Sequence, residues 1–251
     1  MTTVPNPSST PIFFTDLDGT LLDHASYSYT PAAPALEQLR ILDCPLVLAS
    51  SKTGAEIAPL RAELGFTHCP AIVENGAGIL AAEADPADDA EAYQRIRRVL
   101  AELAPEFSGV FTGFGDMTDA EVSDVTGLSL QAASLARQRC HSEPGLWSGD
   151  DATLARFLTA LQRYGISARS GGRFLTLSFG RTKADAMRQV VDDYGADTTV
   201  ALGDAPNDVE MIEAATIGVI IRNDAGADIP ELPGERVGHI RRTELPGPSG
   251  W

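Results

Sequence analysis

Basic residues are scarce in this chain of 251: 19 lysines and arginines stand against 35 aspartates and glutamates, a formal net charge of −16. A surface of that sign repels a phosphate backbone and excludes nucleic-acid binding as the main activity. It leaves room for a small anionic substrate, because a local pocket can be positive on an acidic protein. Cysteine is sparse too. Cys44, Cys69 and Cys140 are widely spaced and odd in number, which excludes a disulfide framework and a cysteine zinc site. Reduced thiols in a cytoplasmic protein are the expectation. The four histidines, His24, His68, His141 and His239, have no ligand spacing. No apolar run reaches membrane-spanning length, and the opening MTTVPNPSST has neither the basic region nor the apolar core of a secretory signal. Internal repeats and long low-complexity tracts are missing as well. Neither a nucleic acid nor a membrane is expected as a partner, and the chain is expected to be a monomer or a weak homodimer.

What is present is ordinary globular composition, 43% hydrophobic and 22% charged, in a chain long enough for one large domain or two modest ones. Residues 1–10 read as a disordered leader. PIFFTD, PLVLAS and AIVENGAGIL are short apolar runs of the kind buried on both faces of a parallel sheet, the last breaking at Asn75-Gly76. Between them TPAAPALEQLRIL and TGAEIAPLRAELG read as helices. Thr30 is expected to cap the first, with Pro31 at the first helical position. Thr53 and Glu56 have capping-box spacing in the second, Ile57, Leu60 and Leu64 form its inner stripe, and Gly65 closes it. The texture then changes. An acidic stretch, ADPADDAEAY, leads into a helix, AYQRIRRVLAEL. Further helices are expected near 118–126, 129–140 and 151–164, with RFLTLSFG as a strand. The α/β rhythm resumes with TKADAMRQVVDDYG, TTVALGD, NDVEMIEAA and IGVIIR, and LPGPSGW looks like a loose end. The predicted architecture is α/β: a Rossmann-like parallel-sheet core, residues 1–82 and 180–251, with an inserted α+β domain over 83–179.

Candidate chemistry collects where strands end. Asp16 and Asp18 follow an apolar strand and precede Gly19, and in open α/β sheets ligands bind at that edge. One carboxylate there can attack phosphorus, and a second two positions on can protonate the leaving oxygen and later activate water. An Asp-Gly turn would also account for the pattern. Asp204 and Asp208, with Asn207, follow another strand, as hard oxygen ligands for Mg²⁺ or as the N-cap of the next helix. Ser50 or Ser51 ends a buried strand before a helix, apt for a phosphate oxygen or as an ordinary cap. Lys183 lies in the first turn of a predicted helix, against the helix dipole, and a neighbouring anion would explain it.

Two acids, a serine, a lysine and Gly-Asp-x-x-Asn-Asp, in that order, resemble the haloacid dehalogenase superfamily of phosphatases, with DLDGT and GDAPND carrying the resemblance at the two ends of the chain. The resemblance implies Asp16 as nucleophile and Asp18 as general acid and base. It implies Ser50 and Lys183 on the phosphoryl oxygens. Mg²⁺ would be held by Asp16, the Asp18 carbonyl and Asp204, supported by Asp208 and Asn207. The long insertion resembles the cap of the Cof-like branch, whose closure excludes water and selects substrate. FTDLDGTLLDHASYSY, SSKTGAEIAPLRAELG, IVENGAGI, CHSEPGLWSGD, SGGRFLTLS and ALGDAPNDVEMIEAA resemble the mannosyl-3-phosphoglycerate phosphatases in particular. The substrate so implied is a sugar joined to phosphoglycerate, and the product a glycosylglycerate, a compatible solute. Ser50, Ser170 and Gly145 depart from that pattern, which has threonine, arginine and an aromatic there. For such a substrate Arg173, after Gly171-Gly172, could approach a carboxylate. Ser142 and Glu143 could bond sugar hydroxyls, and Ser51, Lys52 and Asn75 could help from loops near the strand edge. Trp147 is expected in the core of the insertion. Sucrose phosphate or a hexose phosphate is the alternative substrate. A phosphotransferase, or a non-catalytic sugar-phosphate-binding protein, is the alternative class.

Overall fold

The computed structural model describes residues 10–86 and 90–251. The expected leader, apart from Thr10, and the centre of the acidic stretch lie outside the described residues. The backbone divides into two compact units. One comprises the described residues up to Ser50 with Leu60–Glu83 and Thr182–Trp251; the other comprises Ser51–Pro59 and the described part of Ala84–Arg181.

In chain order the first unit opens with strand β1 (Ile12–Thr15), helix α1 (Ala33–Ile41) and strand β2 (Leu46–Ala49). Helix α2 (Gly54–Glu63), whose residues up to Pro59 fall in the second unit, leads to β3 (Ala71–Val73) and β4 (Gly78–Leu80). The second unit supplies α3 (Glu91–Phe107), β5 (Phe111–Gly113), α4 (Asp119–Thr126), α5 (Leu130–Ala136), β6 (Glu143–Trp147), α6 (Asp151–Gln162), β7 (Ser167–Gly171) and β8 (Phe174–Ser178). The chain returns with α7 (Lys183–Tyr194), β9 (Thr199–Gly203), α8 (Val209–Ala214), β10 (Ile217–Arg222), α9 (Pro233–Val237), β11 (Ile240–Pro246) and the short α10 (Gly247–Gly250). Among the described residues no helix is long and apolar enough to cross a membrane.

The first unit is built on a seven-stranded sheet in the order β11-β10-β9-β1-β2-β3-β4, parallel throughout except for the antiparallel β3–β4 pair. Its central strands are apolar at nearly every position because helices cover both faces. Phe14 pairs with Val47 on one side and Ala201 on the other. Its ring packs with Ile12, Ile72, Met187, Val190 and Met211 in one buried cluster. The capping box of α2 forms as its spacing predicts: the Thr53 amide donates to Glu56 at 2.8 Å and the Glu56 amide to Thr53 at 3.1 Å.

The second unit has an antiparallel sheet in the order β5-β6-β8-β7. Alternation along β8 sends Leu175 and Leu177 into a cluster with Ile96 and Val99 of α3 and Phe157 and Leu161 of α6. Phe174 goes the other way, to Val122 of α4 and Ala133 of α5. Trp147 stacks on Phe157 with ring centroids 5.2 Å apart, inside this apolar layer. Gly145 stands where an aromatic is expected because that space is filled from the next strand: a β-carbon at 145 would come within 2.5 Å of the Phe111 ring.

Several expectations are corrected. Thr30 does not cap α1; Thr30–Ala32 forms a 3₁₀ turn leading into the helix, since Pro31 and Pro34 leave few amides there to cap. The helix expected over 129–140 stops at Ala136, and residues 137–141 form a turn in which the Arg139 amide donates to the Arg137 carbonyl. Glu143 and Pro144 begin strand β6. The polar sequence of β7 and the three residues of β5 carry no alternation that marks them as strands. The tail is not loose: Pro248 is buried, and the Trp251 indole donates to Thr15 Oγ1 at 2.8 Å.

A single guanidinium ties α2 to the β3–β4 hairpin. Arg61, only 3% exposed, donates through Nη1 to the carbonyls of Cys69 and Ala81, each at 3.0 Å. Replacing it by alanine leaves the buried Cys69 carbonyl without this donor, which costs about 2 kcal/mol. Arg61→Ala is therefore expected to lower the melting temperature by several degrees, measured by circular dichroism.

Candidate active site

Strands β9, β1, β2 and β3 are neighbours and run parallel, so their carboxyl ends share one edge. Asp204 follows β9, Asp16 follows β1, Ser50 follows β2 and Glu74-Asn75 follows β3. The edge thus gathers side chains that are far apart in the sequence.

Lys183, the first residue of α7, reaches into this group. Its Nζ donates to Asp16 Oδ1 and to Asp208 Oδ1, both at 2.6 Å, and the side chain is 1% exposed. The helix start is fixed by a reciprocal cap between Thr182 and Asp185. It is also fixed by the Glu74-Asn75-Gly76 turn, whose three residues all have positive φ. Gly76 has to be glycine, since a β-carbon there would lie 2.1 Å from the Thr182 carbonyl carbon. This close approach sets where Lys183 enters. Asp208 in turn accepts from the Asp204 and Ala205 amides through Oδ2, at 3.2 and 3.0 Å.

Asp204 is held by Thr20, whose hydroxyl donates to Oδ1, and by Asn223, whose amide donates to Oδ2 at 2.6 Å. Neither partner was among the candidates read from the sequence. Thr20 sits in the same DLDGT stretch as Asp16. Asn223 follows β10 directly, so a search for every polar residue after a parallel strand would have found it. Asn75 Oδ1 accepts from Asn207 Nδ2 at 3.0 Å, which joins two more candidates. Asp18 is half-buried and bridges to Leu22 in the turn after β1. Ser50 is 1% exposed; its amide donates to Ile72 and its carbonyl accepts from Asn75.

The remaining candidates belong to the second unit. Ser51 is exposed and Lys52 half-buried. Ser142 is fully buried and accepts from Arg139 Nη2 at 2.7 Å. Glu143, also fully buried, accepts from the Gly115 amide at 2.9 Å and lies 3.6 Å from Arg97, which is itself paired with Asp116. Burial raises the Glu143 carboxyl, while Gly115, Tyr93 and Arg97 pull it back down. Ser142 and Glu143 are both fully buried, so a sugar hydroxyl could reach them only if the packing around them opened. Gly172 has φ of +56° at the tip of the β7–β8 hairpin, and exposed Arg173 donates to the Val125 carbonyl near the end of α4 at 2.7 Å.

The electrostatics of the first unit's cluster are lopsided. Burial pushes the Asp16 carboxyl well above the usual carboxylate range; Lys183 pulls it down while Asp208 and Asp204 push it further up. Asp204 is raised mainly by burial, against its bonds to Thr20 and Asn223. Burial also opposes the charge on Lys183, but Asp16 and Asp208 outweigh it and hold the ammonium protonated far above neutrality. With all three acids ionised, the single ammonium leaves a formal excess of two negative charges. Oxygens of Asp16, Asp204 and Asp208 lie within 4.8 Å of one another. Such a donor set fits a small divalent cation that prefers oxygen, such as Mg²⁺.

The family model of the haloacid dehalogenase-like hydrolases matches residues 13–107 and 151–226, and the chain belongs to this family. Solved structures share the fold. A phosphatase of the haloalkanoate enzyme superfamily from Bacteroides thetaiotaomicron is 22% identical, with TM-score 0.65, over 87% of this chain and 86% of that one. A protein from Thermotoga maritima is 17% identical, with TM-score 0.67, over 96% and 94%. The sucrose-phosphatase of Synechocystis sp. PCC6803, solved with sucrose and phosphate, is 17% identical, with TM-score 0.61, over 96% and 95%.

Removing the ammonium tests the charge balance. Lys183→Met leaves buried carboxylates without their counter-ion, a loss of about 3 kcal/mol or more. The expected result is a lower melting temperature and a larger upward shift on adding Mg²⁺ than the wild-type protein shows. Equal shifts in both proteins would contradict it.

Proposed function

We propose that this protein is a Mg²⁺-dependent phosphatase that hydrolyses mannosyl-3-phosphoglycerate or glucosyl-3-phosphoglycerate to the glycosylglycerate and phosphate. The observation that carries the reading is the buried group of Asp16, Asp204 and Asp208 around Lys183 at the carboxyl edge of the parallel sheet. In this reading an Asp16 oxygen attacks phosphorus as the bond to the leaving oxygen breaks, and Asp18 gives that oxygen its proton. Water then attacks the aspartyl-phosphate, Asp18 takes a proton from it, and phosphate leaves as Asp16 is regenerated. Ser50 and Lys183 hold phosphoryl oxygens, and Lys183 offsets the repulsion between Asp16 and the incoming anion. Asp16, the Asp18 carbonyl, Asp204 and Asp208 would hold Mg²⁺, with Asn207 in support. Bound there, the ion would neutralise charge developing on the phosphoryl group.

Substrate choice falls to the inserted unit, which acts as the cap in this proposal. Arg173 spends one N–H on Val125 and has others for a carboxylate. Gly172 lets the backbone approach closely, and Ser51, Lys52, Asn75 and Asn207 serve the polar part of the substrate. Ser142 and Glu143, both fully buried, bond sugar hydroxyls in this proposal only once the packing over them opens. A second reading keeps the chemistry and takes sucrose phosphate or a hexose phosphate instead. The fold shared with the sucrose-phosphatase, and Gly145 in place of an aromatic, favour it.

The deciding experiment is phosphate release with Mg²⁺ from mannosyl- and glucosyl-3-phosphoglycerate, sucrose phosphate, hexose phosphates and 3-phosphoglycerate. A strong preference for the glycosyl phosphoglycerates is expected, and a preference for sucrose phosphate would install the second reading. Asp16→Asn is expected to fold normally and lose turnover by at least a thousand-fold; near-normal activity in the folded variant would remove Asp16 as nucleophile.

Arg173→Ala is expected to raise KM about ten-fold or more for a carboxylate-bearing substrate and leave KM for an aryl phosphate nearly unchanged. Equal effects on both would take Arg173 out of the specificity site.

A further inference from the structure

We infer that Trp251 is a positioning residue for Asp16, acting through Thr15. For its activity arm the inference rests on the phosphatase reading above; its spectroscopic arm needs only that Mg²⁺ binds the acid cluster, which the rise in melting temperature on adding Mg²⁺ reads independently. Thr15, the last residue of β1, is fully buried. Its hydroxyl accepts the Trp251 indole N–H at 2.8 Å and donates its own hydrogen to the Asp16 carbonyl at 2.8 Å. A hydroxyl has one hydrogen, so accepting the indole's leaves its own for that carbonyl, and both directions are fixed together. On the other side the Asp16 amide donates to the Leu202 carbonyl at 2.9 Å. Both peptide groups of Asp16 are therefore tied, one to β9 and the other through Thr15 to the tail. The Asp16 carboxylate then depends for its aim on the side-chain torsions and on Lys183.

The tail is shaped for this contact. Pro248 is buried, and Gly250 passes so close to β11 that a β-carbon there would sit 2.2 Å from the Leu245 carbonyl oxygen. A β-carbon on Gly247 would lie 3.7 Å from the Gly19 carbonyl, so the same tail borders the turn that carries Asp18. Tryptophan suits the position because its N–H is a donor only, on a ring large enough to lie against the fold. The contact spans the whole chain in sequence and has no counterpart in the motifs at its two ends.

The variant that isolates the contact is Trp251→Phe, which keeps a ring and removes the donor. It is expected to lower kcat about five-fold with KM unchanged, the worth of one hydrogen bond at the nucleophile. Adding Thr15→Val to it should cost far less than Thr15→Val alone, since both act through one relay. An unchanged kcat, or fully additive effects, would overturn the inference. The second readout needs no turnover. The chain has two tryptophans, so in Trp147→Phe protein all tryptophan emission comes from Trp251. Titration with Mg²⁺ and inorganic phosphate is expected to change that emission saturably, and Thr15→Val to abolish the change. Where Mg²⁺ raises the melting temperature, emission that stays constant, or that changes equally in Thr15→Val, would overturn the relay. Failure of the phosphatase reading shows separately, as no phosphate release from any substrate by the wild-type protein, and the emission alone then decides.

Discussion

Lys183 begins a helix, where a positive charge is opposed by the dipole, and ends buried between two carboxylates. Neither circumstance is stable alone. Together they are, because Asp16 and Asp208 supply the counter-charge that the helix start and the buried site withhold from the ammonium. The rest of the site serves that contact. The left-handed turn at Glu74-Asn75-Gly76 fixes the helix start, the parallel strands bring Asp16 and Asp204 to one edge, and Asp208 is locked by two backbone amides. One ammonium does not balance three acids, so the folded cluster is short of positive charge. The same imbalance that strains the carboxylates favours a divalent cation there, and binding of such a cation would be linked to folding through it.

The parts of this design that could be read from the sequence are those that local chemistry dictates. Apolar runs ending in acids announce strands and their edge, and DLDGT with GDAPND brackets the cluster at both ends of the chain. What could not be read is made by contacts across long separations. The Thr20–Asp204 bond spans 184 positions and the Trp251–Thr15 bond 236. No periodicity or spacing rule reaches that far, so neither Thr20 as the partner of Asp204 nor the docking of the tail is legible in the sequence; Asn223, 19 positions from Asp204, lies within reach of the strand-end rule that marks the other site residues. Thr30 failed as a cap for a local reason: a pair of prolines around it removes the amides that a cap would satisfy.

The inserted unit obeys a different logic. Its sheet is antiparallel and sandwiched between α3 and α6 on one face and α4 and α5 on the other, so its strands alternate and its short edges are hard to recognise. Its most conspicuous polar residues are not its surface. Glu143 sits at 0% exposure against Arg97, which is partly exposed and paired with exposed Asp116, so removing Arg97 would leave the buried carboxyl short of its counter-charge. Polar character in the sequence therefore overstates how much of this unit is offered to a ligand. The hairpin tip, with Gly172 and Arg173, is where exposure and hydrogen-bonding capacity coincide.

A division of labour between the two kinds of polar residue follows. Acids at the sheet edge would carry the reaction, and each is also the end of a chain of neutral donors: Thr20 and Asn223 on Asp204, Thr15 and Trp251 behind Asp16. Neutral donors fix geometry without altering the charge count, which leaves the deficit of positive charge intact for a cation to fill. A second lysine in place of any of these donors would stabilise the empty cluster and weaken that demand. The choice of threonine, asparagine and tryptophan around the acids is thus an electrostatic requirement as much as a steric one.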